Sequence, residues 1–195
     1  QYVEALNWSE KALANCQKAF GDNHQLTNSS KASLAVDYRN TGKYGLALSL
    51  DEEVLTWRLL NLGEKNPDTL ASYSNLAADY RRLGQYDKAE QLDGKSLKLR
   101  QEVLGENHSD TLISMNNLAA DYRKLGKYDE ALELDNKVLG VRIKELGENH
   151  KLTLTSLNNV AGDYGALGRY TEAAELHRKA VDSSTKLLGE KHPDT

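Results

Sequence analysis

Apolar residues along the stretch 69–110 follow two successive helical patterns. The first pattern has its apolar residues at spacings of three and four, at Tyr73, Leu76, Ala77 and Tyr80. Gly84 then interrupts the pattern, and glycine ends a helix at low cost because it can adopt a positive φ. The second pattern has its inward positions at Ala89, Leu92, Ser96, Leu97 and Leu99. The stretch therefore predicts two antiparallel helices joined by a short turn.

The same residue types recur every 42 residues along the whole chain. One such column of the repeat holds Tyr2, Tyr44, Tyr86, Tyr128 and Tyr170. A fixed period of this length is typical of a solenoid, in which each unit buries its apolar face against the next. We therefore expect an all-α solenoid of nine helices forming one domain. Its predicted units are the second helix of a truncated repeat, 1–26, followed by the repeats 27–68, 69–110, 111–152 and 153–194.

The starts and ends of the units carry further expectations. Asp68, Asp110 and Asp194 each precede a threonine and are predicted to be the N-caps of the first helices. Where leucine replaces the aspartate, Thr27 and Thr153 are expected to cap instead. Because the first 26 residues correspond to half a unit and the last residue would open another, we expect the chain to be a piece of a longer array.

Composition narrows the classes of partner. The formal net charge of -4 gives no overall attraction to nucleic acid or to an anionic membrane, so neither is expected as a partner. Cys16 is the single cysteine and cannot form an internal disulfide. The sequence has no run of about eighteen apolar residues, so no membrane span is expected. These features predict a reducing, cytoplasmic location.

Histidine recurs in the loop that precedes the first helix of a repeat, at His24, His108, His150 and His192. Stacked units would separate these side chains by about 10 Å, the usual distance between packed helices. A metal needs its ligands about 2 Å from one centre, so a structural role in the loop is the better interpretation. No phosphate-binding glycine loop, CxxC, HExxH or GxSxG motif occurs. We therefore expect no enzymatic activity, no cofactor and no metal site.

A two-helix unit of this length is also compatible with HEAT or armadillo repeats. The spacing of Leu76, Ala77, Tyr80, Gly84 and their neighbours instead reproduces the tetratricopeptide signature. The pattern NNLAxxYxxxGxYxxAxxL in 116–134, with LGxxHPxT in 188–195, resembles the kinesin light chain type of tetratricopeptide repeat. Similar units occur in multidomain signalling proteins. The resemblance implies a right-handed superhelix whose concave groove is lined by the first helix of each repeat.

The resemblance also implies a set of groove residues. The expected peptide contacts are Arg39, Asn75, Arg81, Arg82, Asn116, Asn117, Arg123, Lys124, Asn158 and Asn159. Amides can hold a ligand backbone because they both donate and accept hydrogen bonds, and cations can receive carboxylates. Gly165 and Ala166 in the last repeat leave room for an apolar side chain. The resulting hypothesis is a protein-interaction module that binds an extended acidic peptide with an apolar anchor.

Aspartates lie next to the expected groove, at Asp37, Asp79, Asp121 and Asp163. Their carboxylates would repel one another unless Arg39, Arg81 and Arg123 neutralise them across repeats. The same cations could therefore contact a ligand or form a structural ladder, and the sequence leaves both open. A second function also stays open, namely self-assembly through uncapped ends or service as a ligand-sensing arm of a larger signalling protein.

Overall fold

The computed structural model describes residues 2–188, and this part of the chain is all-α, with no strand, as the repeat pattern predicts. Its nine helices are α1 (Tyr2–Phe20), α2 (Gln25–Asn40), α3 (Tyr44–Asn61), α4 (Pro67–Arg82), α5 (Tyr86–Leu104), α6 (Ser109–Lys124), α7 (Tyr128–Leu146), α8 (Lys151–Ala166) and α9 (Tyr170–Leu188). The chain divides into two compact units, Gln1–Val103 and Leu104–Thr195. None of the helices within 2–188 has the length and apolar character needed to cross a bilayer.

The first unit is built from successive helices that pack side by side. Its core consists of Leu55, Leu70, Tyr73, Leu76 and Leu99. Helices α4 and α5 are antiparallel, because the start of α4 lies beside the second half of α5 and its end lies beside the first half. The Ser96 hydroxyl donates to the Leu70 carbonyl at 3.4 Å, and Arg81 contacts Asp93 at 2.5 Å. The inward positions predicted for both helices are buried, except that Tyr80 and Leu92 are partly buried and pack against the core.

The second unit repeats this arrangement with α6–α9. Its core consists of Leu132, Leu139, Leu154, Leu157, Val160 and Ala180. Alanines at the repeat position of Ala89 lie in the tightest places, and Ala131 is 0% exposed. A side chain this small lets neighbouring helix backbones approach closely, which explains why the same letter recurs there.

The turns between paired helices follow the prediction made from glycine. Gly84 has φ +75°, a conformation that residues with a Cβ rarely adopt. The Gln85 N–H donates to the Tyr80 carbonyl at 2.9 Å, and the Gly84 N–H donates to the Arg81 carbonyl at 3.1 Å. These two bonds form a Schellman motif that satisfies carbonyls at the end of α4. Gly126 has the same φ and ends α6 in the same way.

Within the described residues, the predicted N-caps were wrong. The caps are His24, Asn66, His108 and His150, which precede helices beginning two residues before the expected unit boundaries. In α6, the Asp110 N–H donates to His108 Nδ1 at 3.2 Å, so Asp110 already lies within the first turn. Imidazole and carboxamide acceptors thus satisfy amides that a helix start leaves without partners. Asp194 and His192 lie outside the described residues.

Thr27 and Thr153 do not cap their helices either. Both are fully buried and donate their hydroxyls back into the preceding loop, where Thr27 Oγ1 bonds the Gly21 carbonyl at 2.7 Å. Thr153 Oγ1 bonds the Gly147 carbonyl at 2.8 Å. Thr111 Oγ1 makes the same bond to the Gly105 carbonyl at 2.8 Å, so these three threonines fasten the loop to the helix that follows it. The equally buried Thr69 hydroxyl makes no such bond.

Candidate functional site

The first helices of the repeats are α2, α4, α6 and α8, and each bears two polar stripes. One stripe holds the arginines and aspartates that the sequence placed near a groove. The other, called here the helix-A face, has positions three and four residues apart on the same side of each helix. The helix-A face comprises Ser33, Val36 and Asn40 on α2, Asn75, Ala78 and Arg82 on α4, Asn117, Ala120 and Lys124 on α6, and Asn159, Gly162 and Ala166 on α8.

In the first unit, Arg39 joins three helices. Its guanidinium donates to a carboxylate oxygen of Asp51 on α3 and to both oxygens of Asp79 on α4 at 3.2 Å. Arg81 at the end of α4 makes the corresponding contact with Asp93 on α5 at 2.5 Å. Each arginine therefore connects the first helix of its repeat to the second, and Arg39 also reaches the following repeat.

The second unit contains the same cluster. Arg123 on α6 donates to Asp135 on α7 at 2.5 Å and to Asp163 on α8 at 3.0 Å. The two carboxylates are completely buried, whereas 27% of the Arg123 side chain is exposed. A guanidinium suits this position because its fixed fork of N–H donors can reach two partners at once.

Half of each cluster was missed by the sequence reasoning. It found the aspartate column of the first helices but not the column of the second helices, which consists of Asp51, Asp93 and Asp135. All three are 0% exposed. A signal was present, because each lies four residues after a buried alanine and so shares its helical face, at Ala47, Ala89 and Ala131.

One guanidinium carries a single positive charge, so it cannot neutralise two buried carboxylates at once. Burial and the neighbouring Asp51 together raise the pKa of Asp79 to about 7, although Arg39 opposes the change. Burial likewise raises the pKa of Asp163 to about 6, against the opposing effect of Arg123. The clusters around Arg39 and Arg123 can therefore each hold a proton between their two carboxylates near neutral pH.

The clusters change character at both ends of the described chain. Ser9 occupies the column of Asp51, and its hydroxyl donates to Asp37 in place of an ion pair. In the last repeat, Gly165 replaces the arginine and His177 replaces the aspartate. His177 Nδ1 lies 3.4 Å from Asn158 Oδ1. In the last repeat both members of the arginine–aspartate pair are thus replaced together, whereas Asp37 in the first repeat is bonded by a serine hydroxyl instead of a guanidinium.

The helix-A face differs because its amides are uncommitted. Asn75, Asn117 and Asn159 are half-buried, and their side chains make no hydrogen bond to any residue within 2–188. Asn116, one position before Asn117, has a buried Oδ1 that likewise has no partner in that range. Unused donors and acceptors on three first helices are the feature of this face that a polypeptide backbone could satisfy.

Two cations on the same face are free of ion pairs. Arg82 and Lys124 are exposed and contact no carboxylate among the described residues. The fourth repeat has Ala166 at the corresponding position and Gly162 one turn earlier. Of the ten residues predicted as ligand contacts, Asn75 and Arg82 share one side of α4, and Asn117 and Lys124 share one side of α6. Arg39, Arg81 and Arg123 instead contact internal carboxylates.

Histidines contribute to helix ends instead of a shared centre. The rings of His24, His108 and His150 each accept a backbone N–H two residues later. Residues 2–188 contain no group of three histidine, cysteine or acidic side chains arranged to hold a metal ion.

Comparison with known proteins gives matches along most of the chain. A model described as the tetratricopeptide repeat matches residues 27–102, 68–144 and 110–186. No curated protein matches the sequence. Crystal structures of kinesin light chain TPR-like repeats, described as nearly identical repeats from Podosopora anserina, match at 29% identity. One form has a TM-score of 0.86 and covers 96% of this chain and 89% of that chain.

Two further structures agree with that match. A variant form of the same Podosopora anserina protein gives a TM-score of 0.88 at 29% identity, covering 96% of this chain and 88% of that chain. BtubC (BKLC) from P. vanneervenii gives 0.82 at 21% identity, covering 98% of this chain and 76% of that chain. At the latter identity the likeness bears on the fold alone. The matched proteins share paired helices repeated along the chain, as described above.

Proposed function

Because the chain belongs to the tetratricopeptide repeat family, with repeats of the kinesin light chain type in an all-α solenoid fold, we propose that it binds an extended peptide along its helix-A face. Tetratricopeptide repeats are generally protein–protein interaction modules, and proteins built from them are typically non-enzymatic scaffolds. The proposal accordingly assigns this chain no reaction and no cofactor.

The observation that carries the proposal is the uncommitted amide column. Asn75, Asn117 and Asn159 recur at the repeat period, are half-buried, and have no hydrogen-bond partner within the described residues. A buried or half-buried amide without a partner is costly, and a peptide backbone supplies both the donor and the acceptor that it lacks. Main-chain bonds of this kind give affinity without demanding a particular ligand sequence.

The charges on the face select for acidic peptides. Arg82 and Lys124 are exposed and lie on the same sides of α4 and α6 as Asn75 and Asn117. They can receive ligand carboxylates, while Arg39 and Arg123 already serve two aspartates each. The attraction thus comes from two cations, fewer than the five cations that the sequence suggested.

The fourth repeat is proposed to accept an apolar side chain. Gly162 and Ala166 offer little side-chain volume on the helix-A face of α8, and a Cβ built at Gly162 would meet no atom within 4 Å. A bulky apolar residue of the ligand can occupy this open space. The proposed ligand is therefore an extended segment with acidic residues and one aliphatic or aromatic anchor.

A random peptide display library, panned against the whole chain at low and high salt, provides the ligand for the test. Affinity of an enriched peptide is then measured for the triple variant Asn75→Ala, Asn117→Ala, Asn159→Ala. We expect binding to weaken at least about tenfold, because three amide contacts of roughly 1 kcal/mol each are lost. Binding should also weaken with salt.

The control has the same number of asparagine-to-alanine changes on exposed positions of second helices, namely Asn7, Asn15 and Asn136. This control should bind as the parent chain does. Equal binding by both triple variants would contradict the proposal. If no peptide is enriched at either salt concentration, the alternative of a structural or self-assembling arm takes its place, and sedimentation over a concentration series then measures the assembly.

A further inference from the structure

A cleft of about 430 Å³ lies between α2 and α3 in the first unit, away from the helix-A face. At the corresponding positions of the second and fourth repeats, a lysine forms a salt bridge with a glutamate of the preceding loop, whereas Lys137 of the third repeat pairs with Glu133 on its own helix. Lys95 lies 2.7 Å from Glu64 in one repeat, and Lys179 lies 3.0 Å from Glu148 in another. The Lys95 ammonium is also 5.0 Å from the centre of the Tyr73 ring. The repeat architecture therefore favours an ammonium group at this place.

In the first repeat the lysine of that pair is missing. Glu53 occupies the position of Lys95, while Asp22 retains the acidic character of Glu64. Lys31 reaches across from α2 and binds Glu53 at 2.7 Å, but the cleft also contains Asp22 and Glu52. Three carboxylates against one ammonium give the cleft a formal charge of -2.

The known bonds of these carboxylates leave acceptor capacity. Glu52 accepts from the Tyr80 hydroxyl at 2.8 Å through Oε1, and Asp22 accepts from the Gln17 amide at 2.9 Å through Oδ1. An ionised carboxylate has about four acceptor positions, so one such bond satisfies only part of it. The cleft is therefore suited to an additional cation.

A buried amide points to the same conclusion independently of charge. Asn28 lines the cleft and is only 3% exposed, yet its side chain has no hydrogen-bond partner among residues 2–188. The same position in the other repeats is leucine, at Leu70, Leu112 and Leu154, each of which is buried. Replacing a core leucine by an unpaired amide is unfavourable for folding. A ligand donor would remove that cost.

The cleft also has an apolar wall. Trp57 and Leu60 line it, and the Trp57 indole is held in place by a 2.8 Å bond from Nε1 to the Asn23 carbonyl. Leu60 is 81% exposed. The methylenes of a long cationic side chain can lie along such a wall while its charged end reaches the carboxylates.

We propose that this cleft binds a lysine side chain of a partner polypeptide. The ammonium bonds Asp22 and Glu53, the Asn28 carboxamide oxygen accepts another of its hydrogens, and the lysine stem lies against Trp57. The incoming side chain thus supplies the ammonium that Lys95 and Lys179 supply within their own repeats. Because the cleft shares no residue with the helix-A face, this site is independent of the proposed acidic-peptide binding.

The test is a titration of the ¹⁵N-labelled chain with the peptide acetyl-Ala-Ala-Lys-Ala-Ala-amide. We expect a saturable shift of the Trp57 indole resonance with half-saturation at millimolar peptide. The indole of Trp8, which is 72% exposed on α1, serves as an internal control and should not shift. The same peptide with norleucine in place of lysine should give no saturable shift. An equal response to the norleucine peptide would overturn the proposal.

Two variants introduce the residues that other repeats have at these positions, and they make the test specific. Glu53→Lys supplies the internal ammonium, and Asn28→Leu replaces the amide; both should fold, as circular dichroism can verify. Each is expected to weaken lysine-peptide binding at least about tenfold. Glu145→Lys makes the same charge change at an exposed position on α7 and should leave binding unchanged. Undiminished binding by the folded Glu53→Lys chain, or an equal loss in Glu145→Lys, would contradict the assignment.

Discussion

Arg123 of α6 donates to Asp163 of α8 at 3.0 Å, although the two residues are 40 positions apart. The bond ties one repeat to the next at a place where the aspartate is completely buried. It uses a cation that the sequence alone presents as available to a ligand. Neighbouring Lys124 has no such partner in the described chain and remains exposed.

Replacing Arg123 with alanine should therefore lower the free energy of unfolding of the chain. The change leaves Asp135 and Asp163 buried without their counter-charge, which costs about 3 kcal/mol or more. Urea titration followed by circular dichroism measures the free energy of unfolding. Lys124→Ala is the matched control and should change it by less than about 0.5 kcal/mol. Similar losses in the two variants would show that the cluster contributes little.

Stability should fall as the pH rises from 5 to 8. The pKa values of Asp79, about 7, and Asp163, about 6, lie above the ordinary 3.8, so folding favours their protonated forms. That contribution is complete below pH 3.8 and is lost as the pH passes through the folded-state values. At about 1.4 kcal/mol per pKa unit, the loss between pH 5 and pH 8 should be on the order of a few kcal/mol.

Asp79→Asn should reduce this pH dependence and stabilise the chain at pH 8. The carboxamide resembles the protonated acid, since it can donate to Asp51 while accepting from Arg39. Urea titrations at pH 5, 6, 7 and 8 measure the effect, with the exposed Glu145→Gln as control. A variant whose stability declines with pH as steeply as that of the parent chain would show that Asp79 does not bind the proton.

The double charge reversal Arg82→Glu, Lys124→Glu should weaken the binding of an acidic peptide without unfolding the chain. Both cations are exposed and free of ion pairs within 2–188, so the fold does not need them. Losing two attractive contacts and gaining two repulsive ones should reduce affinity by about 1–2 kcal/mol in low salt. Fluorescence anisotropy of a labelled peptide measures it. Unchanged affinity, in a chain of normal helicity, would remove the acidic preference from the proposal.

The histidine caps give a prediction about stability alone. His108→Ala removes the acceptor for the Asp110 N–H and should cost about 1 kcal/mol. His108→Asn should be nearly neutral, because Asn66 already makes the same bond before α4 at 2.9 Å. Thermal unfolding of both variants separates the two expectations. An equally stable alanine variant would mean that water satisfies this helix start.

Asn28→Leu should stabilise the free chain by about 1–2 kcal/mol. It exchanges a buried amide without a partner for the residue found at Leu70, Leu112 and Leu154. Urea titration in the absence of any peptide measures the gain. Asn61→Leu provides a contrasting control, since Asn61 lies on the exposed side of α3 and its amide donates to the Trp57 carbonyl at 2.8 Å. A destabilised Asn28→Leu chain would show that the cleft does not accommodate leucine.

Much of the fold follows from local features of the sequence, namely the spacing of apolar residues and the positions of glycines. The spacing of Tyr73, Leu76 and Ala77 determines which side of α4 is buried, and Gly84 determines where the turn falls, because both depend on backbone geometry within a few residues. The 42-residue period then extends the same result to the other repeats. Helix starts were misplaced by two residues because the sequence does not reveal that a histidine ring, instead of an aspartate, accepts the first amide.

The candidate site depended on the tertiary structure to a greater degree. The sequence determined that Arg81 and Arg82 lie at the end of one helix, but residues next to each other on a helix point to different sides. Only packing decided that Arg81 meets the buried Asp93 while Arg82 stays exposed. The physical reason is that a charge's role depends on which helices surround it, and in a repeat chain those neighbours are dozens of residues away. The period specifies that a column recurs, whereas packing determines whether the column faces inward or is open to a partner.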